Sequence, residues 1–473
     1  METNRFCNGI VGTEGEYLPA PASLKELASA ILKEPPGELG SDYENNADLN
    51  LVDDLDAEDL ASTGWGVIFA EGTSPAVREA LAPLLNLRKE QATKSFEEGY
   101  REFHGSLAYR KGQSQEDFLN QWQINTNGLV DPSLMPYYLL LVGGPAEIDF
   151  EFQYEMDVAH AVGRIHFDTL DEYAQYAEAV VAADTRACLR RVGVFGVQNG
   201  CDEATRDPAT RLLLDRLVLP VVDKLERKHP EWIFERVLEQ EASKARLEEI
   251  LRDPPSLLFT ASHGLAMPKG HARQITDQGA IVCRDWPGMA EWRRLLPPDF
   301  YYTGADVSSG LDLSGRIVFQ FGCFSAGTPG EDDYKTLELP WIPAERPFLS
   351  SLPKRLLSLP GGRGALAFVG HVDRIWSCSF FNEETNSAEN LVFEQFLRRL
   401  LAGRRIGHAV EYFNHWHANY AVRLTNLLFK QRKGEAVDAE RIARTWLINN
   451  DARNYILLGD PAVRLRVEGG GGR

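Results

Sequence analysis

The sequence predicts an α/β fold on a mainly parallel sheet, preceded by a second, smaller α/β subdomain. Three observations support this. Short apolar runs recur at 66–70 (GVIFA), 137–142 (YYLLLV), 192–197 (VGVFGV), 257–261 (LLFTA), 317–321 (IVFQF), 364–369 (GALAFV) and 455–458 (YILL). Each is bounded by Gly, Pro or polar residues, as strands covered on both faces are. Between them lie longer stretches with apolar positions at helical spacing, and strand–helix alternation of this kind implies right-handed crossovers.

In chain order, residues 1–64 read as an acidic, partly irregular lead-in. A helix near 23–33 ends in Glu34-Pro35-Pro36-Gly37, a strong stop. The stretch 41–60 then carries eight acidic residues and no basic one, which reads as a solvated segment. Residues 65–190 form the first α/β unit: a strand at 66–70, a helix at 76–99, the strand 137–142 closed by Gly143-Gly144-Pro145, and a helix at 169–190. Residues 191–468 form the second, with the other five runs as strands and helices at 208–227, 236–252, 387–402 and 405–431. No repeat of fixed period is visible, and the terminal GGGGR reads as a disordered tail.

A chain of 473 residues exceeds what one small core serves, and 44% apolar with 25% charged residues is ordinary for a globular protein. The net charge of −19 argues against nucleic acid and against an anionic membrane surface, both of which call for a basic stripe. Six scattered cysteines (7, 188, 201, 283, 323, 378) include no CxxC pair, so neither a zinc knuckle nor a disulfide scaffold is expected. The N-terminus shows no basic-then-apolar leader and no run is long enough to span a bilayer, so the expected compartment is the cytoplasm.

In parallel sheets chemistry collects beyond the carboxyl ends of the strands. There the sequence places Ser262-His263-Gly264 after LLFTA, Gly322-Cys323-Phe324-Ser325-Ala326-Gly327 after IVFQF, and Gly370-His371-Val372-Asp373 after ALAFV. A thiol near pH 7 is mostly protonated, so nucleophilic cysteine chemistry needs a neighbouring imidazole. Flanking glycines let main-chain N–H groups approach a substrate carbonyl. His263 and Cys323 are the candidate pair, and His371 is the rival base or a residue lining the cleft. Cys188, Cys283 and Cys378 read as small core hydrophobes. Trp286, Phe324 and Trp376 can wall a cleft, although such aromatics are more often core anchors. His408, His415 and His417 do not fit HExxH and read as the polar face of a helix; no metal and no cofactor are expected. Neither GxGxxG, GxxxxGK[ST] nor GxSxG occurs in register after a strand.

The order strand–Ser-His-Gly, then strand–Gly-Cys-Phe-Ser-Ala-Gly, resembles the caspase-fold cysteine peptidases. PYYLLLVGGPAEI (136–148) and YILLGDPAVRL (455–465) are similar to stretches of the gingipain and CHAT branch, so the resemblance covers roughly 136–467. It implies a caspase-like three-layer fold and a cysteine endopeptidase with a Cys323–His263 dyad, a thioester intermediate and a polypeptide substrate. It also implies an oxyanion hole from the N–H groups of Gly264 and Cys323. Some gingipain-like members orient the His with an upstream carboxylate, for which Asp202 and Glu203 are candidates; the same pair also reads as a helix cap. A basic P1 residue would be bound by Asp373, Asp306, Asp332 or Asp333, with Glu331 beside them, whereas Arg316 and Arg374 would suit an acidic one. The 60-residue interval from His263 to Cys323 implies a polar insertion (269–304) facing the substrate. The two units in one chain would mimic a caspase dimer, so a monomer is expected, with an activating partner as a further expectation. The alternative is a catalytically inactive caspase-fold scaffold or sensor.

Overall fold

The computed structural model describes residues 4–18, 21–31, 55–124, 130–187, 189–200, 202, 204–334, 344–383 and 385–466. Cys188, Cys201, Glu203, most of the acidic stretch 41–60 and the GGGGR terminus lie outside the described residues.

A ten-stranded sheet runs through the molecule. Its strands are β1 (Trp65–Phe69), β2 (Tyr100–Phe103), β3 (Tyr138–Val142), β4 (Ala161–Ile165), β5 (Arg191–Val197), β6 (Ile233–Glu239), β7 (Leu257–Ala261), β8 (Ile317–Phe321), β9 (Ala367–His371) and β10 (Tyr455–Gly459). They lie in the order β6-β5-β7-β8-β9-β10-β4-β3-β1-β2. Every neighbouring pair is parallel except β9 and β10. The halves therefore run in opposite directions, and the edge where β7 and β8 end is the edge where β1, β3 and β4 begin. Strands from residues 65–165 and from residues 191–459 share this one sheet, joined where β10 pairs with β9 on one side and β4 on the other.

Both faces are buried. In β1 and β3, Val67, Phe69, Leu140 and Val142 enter the main core, while Ile68, Leu139 and Leu141 enter a second cluster on the opposite face. That alternation is what a sheet between two helical layers requires. Phe319 of β8 stacks on Phe259 of β7 at 5.1 Å and meets Phe396 edge-on at 5.2 Å, which fixes the helix Leu391–Leu401 over the strands that carry the site. Among the described residues no helix is long and apolar enough to cross a membrane.

Three sheet strands are not legible as apolar runs. β4 holds a buried arginine, Arg164, whose guanidinium donates to Gln153 Oε1 and to the carbonyls of Gly143, Ile148 and Asp149. β2 and β6 are edge strands with one neighbour each, so they tolerate charge. The expected helix 236–252 accordingly begins only at Lys244, after β6. Within the lead-in, residues 4–18 and 21–31 carry short strands and a helix rather than irregular chain. Gly9–Val11 and Glu16–Tyr17 complete a five-stranded sheet with Gly264–Ala266, Ile281–Val282 and Tyr301–Tyr302, and the helix Leu24–Ile31 packs on the helix Ala439–Arg453.

Asp460, in the LGDPA stretch after β10, ties the halves together. Its carboxylate receives Arg88 Nε at 2.6 Å, Trp65 Nε1 at 3.0 Å and the Ala462 N–H at 3.0 Å, and Arg88 and Asp460 are both buried. Removing one member of a buried ion pair strands the other charge, at a cost of about 3–5 kcal/mol. Asp460→Ala is expected to lower stability by that amount in urea denaturation, with loss in both halves of the sheet together; a change below about 1 kcal/mol would show that Arg88 finds another partner.

Candidate active site

β7 and β8 pair in register, with Ala261 opposite Phe321. His263 and Cys323 each follow two residues later, so neighbouring parallel strands deliver them to the same edge at the same level. Both side chains are fully buried.

His263 is held by a carboxylate. Its Nε2 lies 3.1 Å from Asp207 Oδ1. Asp207 caps the helix Pro208–Leu213, accepting the Thr210 N–H at 2.9 Å, and its other oxygen accepts the Tyr17 hydroxyl at 2.7 Å. Burial pushes the Asp207 carboxyl up, but the His263 ring, the Tyr17 hydroxyl and the Thr210 N–H outweigh it and hold the group below its ordinary range. A carboxylate at Nε2 selects the tautomer with hydrogen there, which leaves the lone pair on Nδ1. That nitrogen is buried and has no hydrogen-bond partner among the described residues. Tyr17 and Trp286 pack edge-on against the imidazole at 5.6 and 6.0 Å and restrict its rotation.

Cys323 sits in a tight turn. Phe324, the next residue, has φ +57°, an uncommon conformation for a bulky residue, and its N–H donates to the Asp373 carbonyl at 3.0 Å. The Cys323 sulfur accepts the Ile375 N–H at 3.2 Å and lies 3.4 Å from the Cys7 sulfur. Burial, with the Cys323 thiol beside it, pushes the Cys7 thiol well above its ordinary range, so Cys7 stays protonated.

Gly264 closes the arrangement. A Cβ there would stand 1.9 Å from the Cys323 carbonyl oxygen and 2.6 Å from its nitrogen, so only glycine lets the two strand ends meet. The N–H groups of Gly264 and Cys323 converge on one acceptor, the carbonyl oxygen of Asn8, at 2.9 and 3.4 Å. Gly264→Ala is expected to force the Gly264 and Cys323 backbones apart and to reduce the melting temperature; an unchanged melting temperature in a thermal scan would show that the strand ends have room for a methyl group.

The remaining candidate residues lie elsewhere or are already engaged. Asp202 is exposed and folds back on the Ala204 and Thr205 N–H groups, so it does not orient His263; the orienting carboxylate is Asp207, five residues on. Glu203 lies outside the described residues. His371 Nδ1 lies 2.8 Å from the Asp373 carbonyl oxygen and Nε2 3.1 Å from the Asp451 carbonyl oxygen, so both ring nitrogens are engaged, and burial lowers the ring to about 4; it is a structural histidine rather than a base. Asp332 grips Arg374 through both oxygens at 2.6 and 3.0 Å, Asp333 pairs with Arg453, and Asp306 receives Lys244 at 2.8 Å. Asp373 is buried, which pushes it up to about 7 against the pull of Arg374. Glu331 is exposed. His408 pairs with Glu58, and His417 contacts the Asn449 carbonyl; among the described residues no cluster of three His, Cys, Asp or Glu side chains could hold a metal.

Sequence reading missed Asp207, Tyr17, Cys7 and Asn8. An Asp-Pro start to a helix signals a cap, which Asp207 is, but nothing in the local sequence says that the cap also faces His263. Residues 7 and 8 reach the site through their pairing with Ile375–Ser377, and residue 17 through the sheet in which Gly9–Val11 joins Gly264–Ala266.

No family model matches the sequence, nor does any curated protein. Among solved structures, one described as a protease superimposes with a TM-score of 0.48 at 11% identity, covering 86% of this chain and 79% of that one. The Arg-specific cysteine proteinase gingipain R gives 0.44 at 10% identity over 85% and 78%. A complex of Porphyromonas gingivalis RgpB pro- and mature domains gives 0.43 at 9% identity over 85% and 79%. At such scores no residue role transfers, and the roles of individual residues rest on this chain's own geometry.

Proposed function

We infer that the protein is a cysteine peptidase working through Cys323, His263 and Asp207. The observation that carries this reading is the convergence of the Gly264 and Cys323 N–H groups on a peptide carbonyl beside the Cys323 sulfur. An amide is hydrolysed by a thiol only where its oxygen is so stabilised and the thiol proton has somewhere to go. His263 Nδ1 takes that proton while Asp207 holds the ring and stabilises the imidazolium. Cys323 attacks the carbonyl carbon, the amine leaves with the proton from His263, and water then hydrolyses the thioester with His263 again as base.

Selection of a basic P1 side chain draws little support from the carboxylates expected to do it, because Asp306, Asp332 and Asp333 each already hold a cation. An inactive scaffold is disfavoured because nucleophile, base, orienting carboxylate and paired N–H groups are all present. The test is hydrolysis of a P1-scanning fluorogenic peptide library by the full chain, before and after treatment with iodoacetamide. Turnover should fall in proportion to the adduct mapped on Cys323; turnover surviving full modification of that residue overturns the assignment.

A further inference from the structure

Residues 6–11 lie across the site with a bend at Asn8, paired by main-chain hydrogen bonds on either side of it. Phe6 accepts the Ser377 N–H at 2.9 Å, and the Asn8 N–H donates to the Ile375 carbonyl at 2.9 Å, so Phe6–Asn8 runs antiparallel to Ile375–Ser377 with a bridge between Cys7 and Trp376. The Asn8 carbonyl occupies the two N–H groups of Gly264 and Cys323. From Gly9 to Val11 the chain pairs in parallel with Gly264–Ala266. At Gly9 a Cβ would stand 3.1 Å from the Cys323 sulfur, so the sulfur lies beside the Asn8–Gly9 peptide bond. A peptide substrate needs these same features: main-chain pairing on both sides and one carbonyl held by the oxyanion donors at the nucleophile.

We propose that residues 6–9 are a built-in substrate, and that the enzyme cleaves its own Asn8–Gly9 bond, which assigns its substrate class as peptides with Asn at P1 and Gly at P1′. This rests on the peptidase reading. Cys323 sulfur bonds to the Asn8 carbonyl carbon, and the bond to the Gly9 nitrogen breaks. The thiol proton passes through His263 to that nitrogen, and water then releases the Asn8 carboxylate and restores the thiol. Products are the peptide 1–8 and a chain beginning at Gly9 with a free amine. The Asn8 side chain is fully buried, which sets the pocket at that size, and a lysine or arginine there would need neighbours to move. At P1′ a Cβ would stand 3.1 Å from the sulfur and 3.2 Å from the Cys323 Cβ, closer than ordinary contact, which favours glycine. Until the bond is cut, the same segment keeps other substrates from Cys323. After the cut Gly9–Val11 stays in its sheet, and with it Tyr17, which still supports Asp207.

The test is to incubate the full-length protein with reductant, so that no Cys7–Cys323 disulfide forms, and to follow intact mass and N-terminal sequence. Wild type should convert to a chain beginning Gly9-Ile10-Val11, Cys323→Ala should not, and Asn8→Arg should slow conversion at least about tenfold. On the peptide library, the processed enzyme should prefer Asn at P1 over Lys or Arg at least about tenfold. Wild type that stays intact at Asn8–Gly9 while hydrolysing library peptides through Cys323 overturns this inference and leaves the peptidase standing. An unaltered chain with no library turnover overturns both, and faster cleavage of Asn8→Arg overturns the Asn preference.

Discussion

Cys323→Ala is expected to lower peptide turnover at least about 10⁴-fold, or more than about 5 kcal/mol of transition-state stabilisation. Without the sulfur there is no acyl-enzyme, and what remains is binding plus the oxyanion donors, which alone supply only a small part of the acceleration in triad enzymes. The same change should hardly disturb the fold. It removes the acceptor for the Ile375 N–H and a contact with Cys7, a loss of about 1–3 kcal/mol in a molecule whose core spans the whole sheet. Kinetics and urea denaturation measured on one preparation separate the two effects. A variant that folds normally and retains a tenth of the wild-type kcat would sink the nucleophile assignment.

Asp207→Asn is expected to lower kcat by about 10²–10⁴-fold, with KM changed far less. An asparagine can turn its amide nitrogen toward His263 Nε2, which forces the ring hydrogen onto Nδ1, the atom that has to accept the thiol proton. The effect has a pH signature of known sign. The folded carboxyl lies below its ordinary value, so its stabilising contribution is present above the unfolded pKa of about 4 and is lost as pH falls through the folded value beneath it. Urea denaturation from pH 7 down to pH 2 should show wild type losing this increment below about pH 4, while Asp207→Asn, which lacks it throughout, falls less over the same interval. Equal pH profiles, or an unchanged kcat, would reduce Asp207 to a helix cap. Ser243, which caps the helix Lys244–Arg252 with no contact to the site, supplies a control: Ser243→Ala should cost stability and leave kcat alone.

How much of this was legible follows from the range over which each feature is determined. β3, β7 and β8 are central strands buried on both faces, and their mostly apolar runs show in the sequence even though β7 and β8 each hold one buried polar residue, Thr260 and Gln320. His263 and Cys323 were legible for the same reason, since each follows such a run directly. β4 was not, because Arg164 breaks its run and is satisfied by carbonyls that only the folded loop after β3 presents. Nor was the edge strand β6, whose mixed composition suits a helix as well as a strand with one neighbour.

The sequence by itself determined the mainly parallel sheet, the positions of its main strands along the chain, and the placing of His263 and Cys323 just beyond two of those strands, because apolar periodicity and strand ends are local properties. Only the tertiary structure decided which carboxylate serves His263, that the acids expected to form a specificity pocket are held by arginine and lysine, and that residues 6–11 lie over the nucleophile. Those facts depend on contacts between positions as far apart as Cys7 and Cys323. A hydrogen bond between such positions leaves no periodicity in either segment, so only the folded chain, which brings them within 4 Å, displays it.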